Sequence, residues 1–255
     1  MENTLPSSPL QARIRSDFEQ VQKQIAAFVH EPLDPNQSYT TQIHTQLRDL
    51  IVRGHLPPGT PLSEAAVAAA MGISRTPVRE ALRHLVQEQL VEVYPQVGTR
   101  VAPLKVALIR EGCFIRRALE CANLMDVVKT ISEAQREEIR TLLIKTQDTL
   151  DHGSLTSFFH MDEEMHSRLF EFAGRCRVWT LIAGTKLHLD RVRWLLLDRM
   201  VNHSDRIMRE HKIIGELLLA RDAEAVCREM QQHIEAVADH LLELRQYVPE
   251  SYFSA

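Results

Sequence analysis

Over most of the chain, hydrophobic residues recur every three or four positions, which is the period of an amphipathic α-helix. Beyond residue 104 this pattern is broken only by short polar or glycine-containing stretches. The predicted helices there span 105–129, 132–151, 155–173, 176–199, 203–220 and 222–246. Because short loops force neighbouring helices to run in opposite directions, we expect an all-α antiparallel bundle of about six helices over 105–247, with a tail at 248–255.

The first 37 residues form a separate N-terminal extension, in which the same period predicts one amphipathic helix over 9–30. Its apolar face consists of Leu10, Ile14, Phe18, Val21, Ile25 and Phe28. Pro32 and Pro35 then end the helix. An apolar face of this length needs a partner, either the helical bundle or another subunit; the alternative is a mobile terminal extension.

Between the extension and the bundle, the pattern predicts two short helices joined by a glycine. An alanine-rich helical segment over 62–71 is followed by Gly72, which permits a sharp turn. The second helix is predicted over 75–87, with Ser74 or Thr76 as its N-terminal cap. This arrangement is typical of a helix-turn-helix.

Two β-prone runs follow the second helix. Residues 90–94 and 99–101 flank the turn-forming stretch 95–98 and predict a hairpin. A helix-turn-helix followed by a hairpin is a winged helix, so residues 38–104 are predicted to be a mainly α domain with a small β-hairpin. This architecture points to DNA as the partner.

The second short helix carries an arginine edge. Arg75, Arg79 and Arg83 lie at i, i+4 and i+8, on one face of the helix. The opposite, core-facing stripe is predicted to hold Val78, Leu82, Leu85 and Val86. Guanidinium groups on an exposed helix suit phosphates and guanine edges, whereas the alternative is an ordinary solvated surface.

Charge and cysteine content narrow the picture. The net charge is −4, but residues 38–103 hold six Arg and five Asp plus Glu, which makes that segment about +1. DNA binding is therefore expected to be local, selective and salt-sensitive. The cysteines lack paired spacing and are expected to be reduced thiols in a cytoplasmic protein: Cys113, Cys121, Cys176 and Cys227.

Four residues of the bundle form a candidate metal site. Asp162 and His166 are spaced i, i+4, so they project from one helix face. His211 and His233 lie roughly 15 and 18 Å from the break that separates their helices, so in a helical hairpin their imidazoles would lie at similar depth. Three imidazoles and a carboxylate would suit a divalent transition metal with open positions. The alternative is that each histidine only satisfies local hydrogen bonds.

Residues 38–104 resemble the DNA-binding domain of the GntR superfamily of bacterial transcription regulators. The resemblance rests on Ser38-Tyr39, Gly54, Pro58-Gly59, the run from Ser74 to Leu82, Leu90-Val91 and Gly98-Thr99. Gln89 stands where the family usually has Gly, and Ala65 where some members have Arg. The resemblance implies DNA contacts from Arg48, Ser74, Arg75, Thr76, Arg79, Arg83 and Gly98. It also implies a homodimer on a palindromic operator.

The bundle resembles the FCD-type ligand-binding domain of the FadR subfamily. The matching stretches are 116–120, 162–166, 210–214, 221–222 and 230–233. In that family an Asp and three His at the positions of Asp162, His166, His211 and His233 bind a metal, often Zn²⁺ or Ni²⁺, which helps to hold a small carboxylate effector. Candidate effector contacts are Arg116, Arg191 and Arg193, although Arg116 also suits an intrahelical pair with Glu120.

The sequence thus predicts a cytoplasmic, nucleoid-associated, homodimeric and metabolite-responsive transcription regulator, most simply a repressor. Two other functions remain open at this point. One is a metal-dependent hydrolase that uses the three-histidine, one-aspartate site. The other is an architectural DNA binder whose metal is purely structural.

Overall fold

The computed structural model describes residues 9–28 and 32–254, with the side chains of residues 9–15 and 17 outside that description. The last two residues of the predicted helix 9–30, and the side chains of Leu10 and Ile14, therefore lie outside the described part. The chain divides into two compact units. One contains the residues up to 104 together with 251–254, and the other contains residues 105–250.

The first unit is a winged helix preceded by one longer helix. Its helices are α1 (Pro9–Phe28), α2 (Tyr39–Val52), α3 (Glu64–Met71) and α4 (Arg75–Gln87). Its strands are β1 (Val91–Tyr94), β2 (Gly98–Val101) and β3 (Leu104–Lys105), of which Lys105 is already the first residue of the second unit. Strands β1 and β2 are antiparallel and pair Val91 with Val101 and Tyr94 with Gly98. The predicted helix-turn-helix and hairpin are both present.

Local caps fix the helix-turn-helix. The Ser63 hydroxyl accepts a hydrogen bond from the Ala66 amide at the start of α3, and Gly72 ends the helix in a left-handed conformation at φ 67°. Ser74 occupies the N-cap position of α4, where its side chain makes no capping hydrogen bond. Gln89, at the position where Gly is usual, also adopts a left-handed φ of 59°, which explains why a residue without a Cβ is favoured there.

The core face of α4 differs in one position from the prediction. Val78, Leu82 and Leu85 are buried as expected, together with Ala81, whereas Val86 is 37% exposed. The buried face of α4 therefore includes Ala81 in place of Val86.

Helix α1 packs within its own unit. Val21 and Ile25 are fully buried, and α1 contacts α3, the first helix of the helix-turn-helix. The Phe28 ring stacks on His55 with 3.8 Å between ring centroids. Neither predicted partner, the bundle nor another subunit, is needed to bury these two side chains.

The second unit is an antiparallel helical bundle. Its helices are α5 (Val106–Thr130), α6 (Glu133–His152), α7 (Leu155–Phe172), α8 (Cys176–Thr185), α9 (Leu187–Arg199), α10 (His203–Ala220), α11 (Ala223–Asp239) and α12 (Leu241–Leu244). After α12, a 3-10 turn at Glu250–Tyr252 leads to the short strand β4 (Phe253–Ser254), which belongs to the first unit and pairs with β3.

Two predicted helices are divided. The helix predicted over 176–199 breaks at Lys186, whose backbone turns (φ −100°, ψ 12°) between α8 and α9. The helix predicted over 222–246 ends at Asp239, and His240 caps it before the one-turn α12. The mainly α class with an N-terminal winged helix-turn-helix is confirmed, but the bundle contains more separate helices than the six expected.

Two further findings concern the described residues as a whole. All four cysteines are free thiols, of which Cys113 is buried and Cys176 is exposed. A membrane-crossing helix is not found among them, since each described helix is either too short or too polar for that role.

Candidate functional site

The arginine edge predicted on α4 is exposed. The side chains of Arg79 and Arg83 are 54% and 65% exposed, and Arg75 also lies at the surface. Arg79 donates two hydrogen bonds to Glu64 at the start of α3, from Nε to Oε1 at 2.8 Å and from Nη2 to Oε2 at 2.9 Å. This bidentate pair holds the Arg79 guanidinium in one orientation, and it lowers the pKa of the Glu64 carboxyl.

The other predicted DNA contacts are distributed around this helix. Ser74 and Thr76 are exposed at the N-terminus of α4, where free amide groups favour a phosphate. Gly98 is exposed at the tip of the wing with φ 109°, a conformation that favours glycine. Arg48 lies on α2 with Nη1 3.6 Å from Glu88 Oε1, so it is engaged in an ion pair.

The four predicted metal ligands converge in the second unit. Each offers one ligand atom, and these atoms of Asp162, His166, His211 and His233 all lie within 4.8 Å of one another. All four residues are buried. The ring centroids of His211 and His233 are 4.8 Å apart, and each lies 5.4 Å from that of His166. Asp162 and His166 come from α7, His211 from α10 and His233 from α11, so three helices build the cluster.

The cluster carries buried nitrogen atoms that lack hydrogen-bond partners. Among the described residues, His166 Nε2 and both ring nitrogens of His211 are buried and make no hydrogen bond. Burial lowers the pKa of His166 and lowers that of His211 well below its usual value, so both imidazoles are neutral at pH 7. Neutral imidazoles with unsatisfied nitrogens are the form that binds metal, and leaving them unpaired is otherwise costly.

Two glutamates orient the imidazoles, a role that spacing along the sequence does not reveal. Glu120 Oε2 lies 2.6 Å from His166 Nδ1, and Glu210 Oε2 lies 2.7 Å from His233 Nδ1. Each carboxylate accepts a hydrogen bond from Nδ1–H, which leaves the opposite nitrogen, Nε2, pointing away from the glutamate. Carboxylate–histidine pairs of this kind are typical of metal sites. The spacing along α5 predicts only the pair of Glu120 with Arg116, because the other partner of Glu120, His166, lies on α7.

The Asp162 carboxylate is held by Arg193. Arg193 Nη2 donates to Asp162 Oδ2, while His211 Nε2 lies 3.4 Å from the other oxygen, Oδ1. Burial alone would raise the pKa of the Asp162 carboxyl, but the adjacent Arg193 guanidinium holds it well below its usual range. Asp162 is therefore an anion, with one oxygen anchored and the other facing the histidines.

Arg193 belongs to a wider buried ion network. Its Nη1 donates to Glu163 Oε1 at 2.5 Å and to Asp190 Oδ1 at 2.8 Å. Lys186 Nζ donates to the same two residues, at 2.7 Å to Glu163 Oε2 and at 2.6 Å to Asp190 Oδ2. Glu163 follows Asp162 directly on α7, and both carboxylates reach Arg193. Lys186, which joins this network, is also the residue at the break between α8 and α9.

The remaining predicted contacts fall in different places. Arg116 is buried, and its Nε donates to Glu120 Oε1 at 2.6 Å, which is the intrahelical pair considered from the sequence. Its Nη2 is also buried and finds no hydrogen-bond partner among the described residues. Arg191 is buried in α9. Of two further histidines in the bundle, His160 is exposed and His240 lies within hydrogen-bond distance of Arg206.

Comparisons with known proteins agree with both units. Residues 39–101 match the family described as bacterial regulatory proteins, gntR family, and residues 111–236 match the FCD domain. The HTH-type transcriptional repressor RspR of Escherichia coli strain K12 is 34% identical over 218 residues, which cover 86% of this chain and 95% of that protein.

Two further similarities extend this result. An uncharacterized HTH-type transcriptional regulator of Streptomyces ambofaciens is 36% identical over 216 residues, covering 82% of this chain and 88% of that protein. The solved structure of E. coli McbR/YncC matches with a TM-score of 0.66 at 21% identity and covers 82% of this chain and 98% of that chain. At that identity, the likeness shows the fold alone.

RspR is named as a transcriptional repressor and the Streptomyces protein as a transcriptional regulator, so the hydrolase alternative finds no support among these relatives. A winged helix with an exposed arginine edge is joined in one chain to a helical unit of the FCD type. The chain therefore belongs to the GntR family of bacterial transcription regulators, with an FCD domain after its DNA-binding domain.

Proposed function

We propose that the protein is a cytoplasmic, homodimeric repressor whose operator binding responds to a small carboxylate held beside a divalent transition metal, with Zn²⁺ or Ni²⁺ as the first candidates. The observation that carries this proposal is the convergence of one carboxylate and three imidazoles, with buried ring nitrogens that lack partners. Such a set of donors matches the preference of these metals for nitrogen and oxygen ligands.

The domains divide this work. We assign DNA binding to residues 38–104 and binding of metal and effector to residues 105–247. Residues 1–37 are an extension whose helix supports α3, and residues 248–255 are a tail. The matched family segments, 39–101 and 111–236, fall inside the two central ranges.

Four side chains would hold the metal. His166 and His233 would bind through Nε2, since Glu120 and Glu210 occupy their Nδ1 atoms. Asp162 would bind through Oδ1, because Arg193 holds Oδ2. His211 completes the set with one of its two unpaired nitrogens. When bound there, the ion supplies positive charge and open coordination positions for an anionic ligand.

Arg116 is the group best placed to pair with an effector carboxylate. Its Nη2 is buried without a partner, and its Nε is fixed by Glu120, which also holds the ligand His166. A buried guanidinium with a free N–H favours a carboxylate strongly, because that N–H is otherwise unsatisfied. Arg191 and Arg193 add buried positive charge from α9.

On the DNA side, α4 would enter the major groove. Arg75 and Arg79 would read bases or phosphates, Arg83 would extend this edge, and Ser74 and Thr76 would bind phosphates at the helix N-terminus. The wing tip at Gly98 would approach the minor groove or backbone, and Arg48 on α2 would contribute a phosphate contact. A dimer with two such helices predicts a palindromic operator.

Regulation requires that the effector prefer one arrangement of the dimer. A ligand that stabilises the arrangement in which the two α4 helices do not match the operator spacing would release the DNA. The required difference in affinity between the two arrangements is about 1–3 kcal/mol for a typical allosteric coupling.

The test is selection of bound sequences from random duplex DNA, with and without Zn²⁺ or Ni²⁺ and a panel of small carboxylates. We expect enrichment of one palindrome, loss of that enrichment in Arg79→Ala, and an altered yield with one class of carboxylate. Arg177→Ala, on the exposed face of α8, is the matched control and should enrich the same palindrome. Enrichment that no carboxylate alters, with or without metal, would favour an architectural protein with a structural metal. No enrichment under any condition would overturn the proposal.

A further inference from the structure

The face of α5 that points away from the core is apolar and exposed. The opposite face buries Arg116 and Glu120 beside the metal cluster. On the outward face, the Phe114 side chain is 61% exposed, and Leu119 and Met125 are also exposed. Neighbouring exposed apolar side chains on one face mark an interaction site more often than apolar side chains scattered singly over a surface.

The outward residues follow a regular spacing. Glu111, Ile115, Ala118, Ala122, Met125 and Lys129 are separated by steps of four, three, four, three and four residues. Alternating steps of three and four are those of the seam along which two helices pack in a coiled coil. We call these six residues the α5 seam. It spans roughly 27 Å at 1.5 Å per residue, and Ile115 is half-buried while the other five residues are exposed.

The α5 seam is complementary to itself when reversed. If a second copy of α5 lies antiparallel along it, Glu111 faces Lys129 of that copy, and the same pair recurs at the other end. Ile115 then faces Met125, and Ala118 faces Ala122. In a parallel arrangement, Glu111 would face its own copy and Lys129 would face its own copy, which is repulsive at both ends. The charges therefore select the antiparallel arrangement.

The centre of the α5 seam favours a close approach. Two alanines from each helix meet there, and small side chains permit interaxial distances near the lower end of the usual range of about 8–10 Å. Phe114 and Leu119 flank the alanines on either side and would cover the contact. The Arg117 guanidinium lies 5.6 Å from the Phe114 ring centroid and pairs with Glu235 on α11, so charged groups border the apolar strip.

We infer that the α5 seam is the surface on which a second copy of this chain binds, with the two α5 helices antiparallel about a two-fold axis between Ala118 and Ala122. The inference rests on the homodimer of the proposed function and adds the surface that forms it. In this arrangement, the helix that carries Glu120 and Arg116 on its inner face carries the subunit contact on its outer face. A shift of α5 on binding of effector is then transmitted directly to the second subunit.

The first test introduces a charged side chain at the centre of the α5 seam. Ala122→Glu in the full chain should weaken dimerisation by about a hundredfold, because a carboxylate is placed without a partner in both copies of the centre. Ala134→Glu is the matched control, since Ala134 is exposed in the first turn of α6, and it should leave the dimer unchanged. Sedimentation velocity over a series of protein concentrations measures both, and circular dichroism confirms that each variant is folded.

The second test is charge exchange. Glu111→Lys and Lys129→Glu should each weaken the dimer about tenfold, because two symmetric attractions become repulsions. The double variant should return to within about threefold of the wild type, since it restores opposite charges.

A wild-type dimer that is unaffected by Ala122→Glu and by both charge reversals would place the interface elsewhere. Operator selection and metal binding would then stand independently. A wild-type protein that stays monomeric at all concentrations would overturn this inference together with the proposed homodimer.

Discussion

Glu120 Oε2 lies 2.6 Å from His166 Nδ1, although the two residues belong to different helices, α5 and α7. The carboxylate fixes the tautomer of the imidazole and directs its Nε2 toward the other three candidate ligands. The same Glu120 side chain accepts from Arg116 Nε, so one buried anion connects the candidate metal site to the candidate effector contact. The pKa of the Glu120 carboxyl is low because Arg116 and His166 outweigh the effect of burial.

Glu120→Gln is therefore expected to lower the affinity for metal by about 10–100-fold, the usual effect of losing an outer carboxylate. Glu210→Gln provides the parallel case, since Glu210 holds His233 in the same way, and it should act in the same direction. Competition for Zn²⁺ against a chelator of known affinity measures both. Equal metal affinity in the wild type and both variants would show that the glutamates do not position ligands.

Removal of the Arg79 side chain should weaken sequence-specific DNA binding without affecting the second unit. Arg79→Ala is expected to cost about 1–3 kcal/mol of operator binding and to relax the sequence preference at one position of each half-site. Titration of a labelled operator by fluorescence anisotropy measures this loss. Arg177→Ala removes an equal charge from the other unit and should change the affinity little. An Arg79→Ala protein with unaltered affinity and preference would assign α4 no role in reading.

Substitution of Glu64, the partner of Arg79, tests the role of this arginine in a second way. Because Glu64 holds the Arg79 guanidinium by two hydrogen bonds, Glu64→Gln should leave the affinity for random DNA equal or higher, since an anion is removed from the DNA-facing surface. It should at the same time lower the ratio of operator to random binding, because Arg79 loses its fixed orientation. A higher ratio in the variant would contradict this account of the pair.

Lys186 should be a determinant of stability. It is buried and neutralises Glu163 and Asp190, so Lys186→Met leaves buried carboxylates short of a cation and should cost about 3–5 kcal/mol of unfolding free energy. Lys145→Met, at an exposed position of α6, should change stability by no more than about 0.5 kcal/mol. Urea denaturation compares the two, and similar midpoints would show that the network is not needed for the fold.

Acid should destabilise the protein through His203. Burial first, and then Arg206 and His240, lower the pKa of His203 to about 4, while Glu210 acts in the opposite direction. The unfolded chain binds a proton below pH 6.5 that the folded state takes up only near pH 4. The free energy of unfolding is therefore unaffected by His203 protonation above pH 6.5. As the pH falls from 6.5 to 4, protonation of His203 in the unfolded chain lowers that free energy by about 2–3 kcal/mol.

His203→Gln should make the unfolding free energy less dependent on pH over that interval. His152→Gln is the control, since His152 is 76% exposed and should leave the profile unchanged. Urea unfolding at several pH values measures the slope, and identical slopes in the wild type and His203→Gln would contradict the assignment.

Much of the architecture follows from the sequence alone, and the successes share a physical basis. The helix predicted over 203–220 matches His203–Ala220, and the flanking residues Asn202 and Arg221 adopt left-handed conformations at its two ends. The convergence of His211 and His233 follows from their similar distance to one turn, since packing of a helical hairpin brings such positions together.

The differences arise where tertiary contacts override the local pattern. The hydrophobic period continues through residue 186, so spacing along the chain does not reveal the break between α8 and α9 at Lys186. The roles of Glu120 and Glu210 depend on which helices become neighbours, which spacing along one helix does not contain. The contact of α1 with α3 likewise depends on which helices become neighbours, so the sequence pattern does not predict it.

The measurement that tests the central claim most directly is the metal stoichiometry of the purified protein. Isothermal titration with Zn²⁺ and with Ni²⁺ should give one tightly bound ion per chain in the wild type and in the exposed-histidine control His152→Ala. His211→Ala and Asp162→Ala should lose that binding and the response to carboxylates while retaining operator binding. Unchanged stoichiometry and affinity in both His211→Ala and Asp162→Ala would show that the cluster of three histidines and one aspartate is not the metal site.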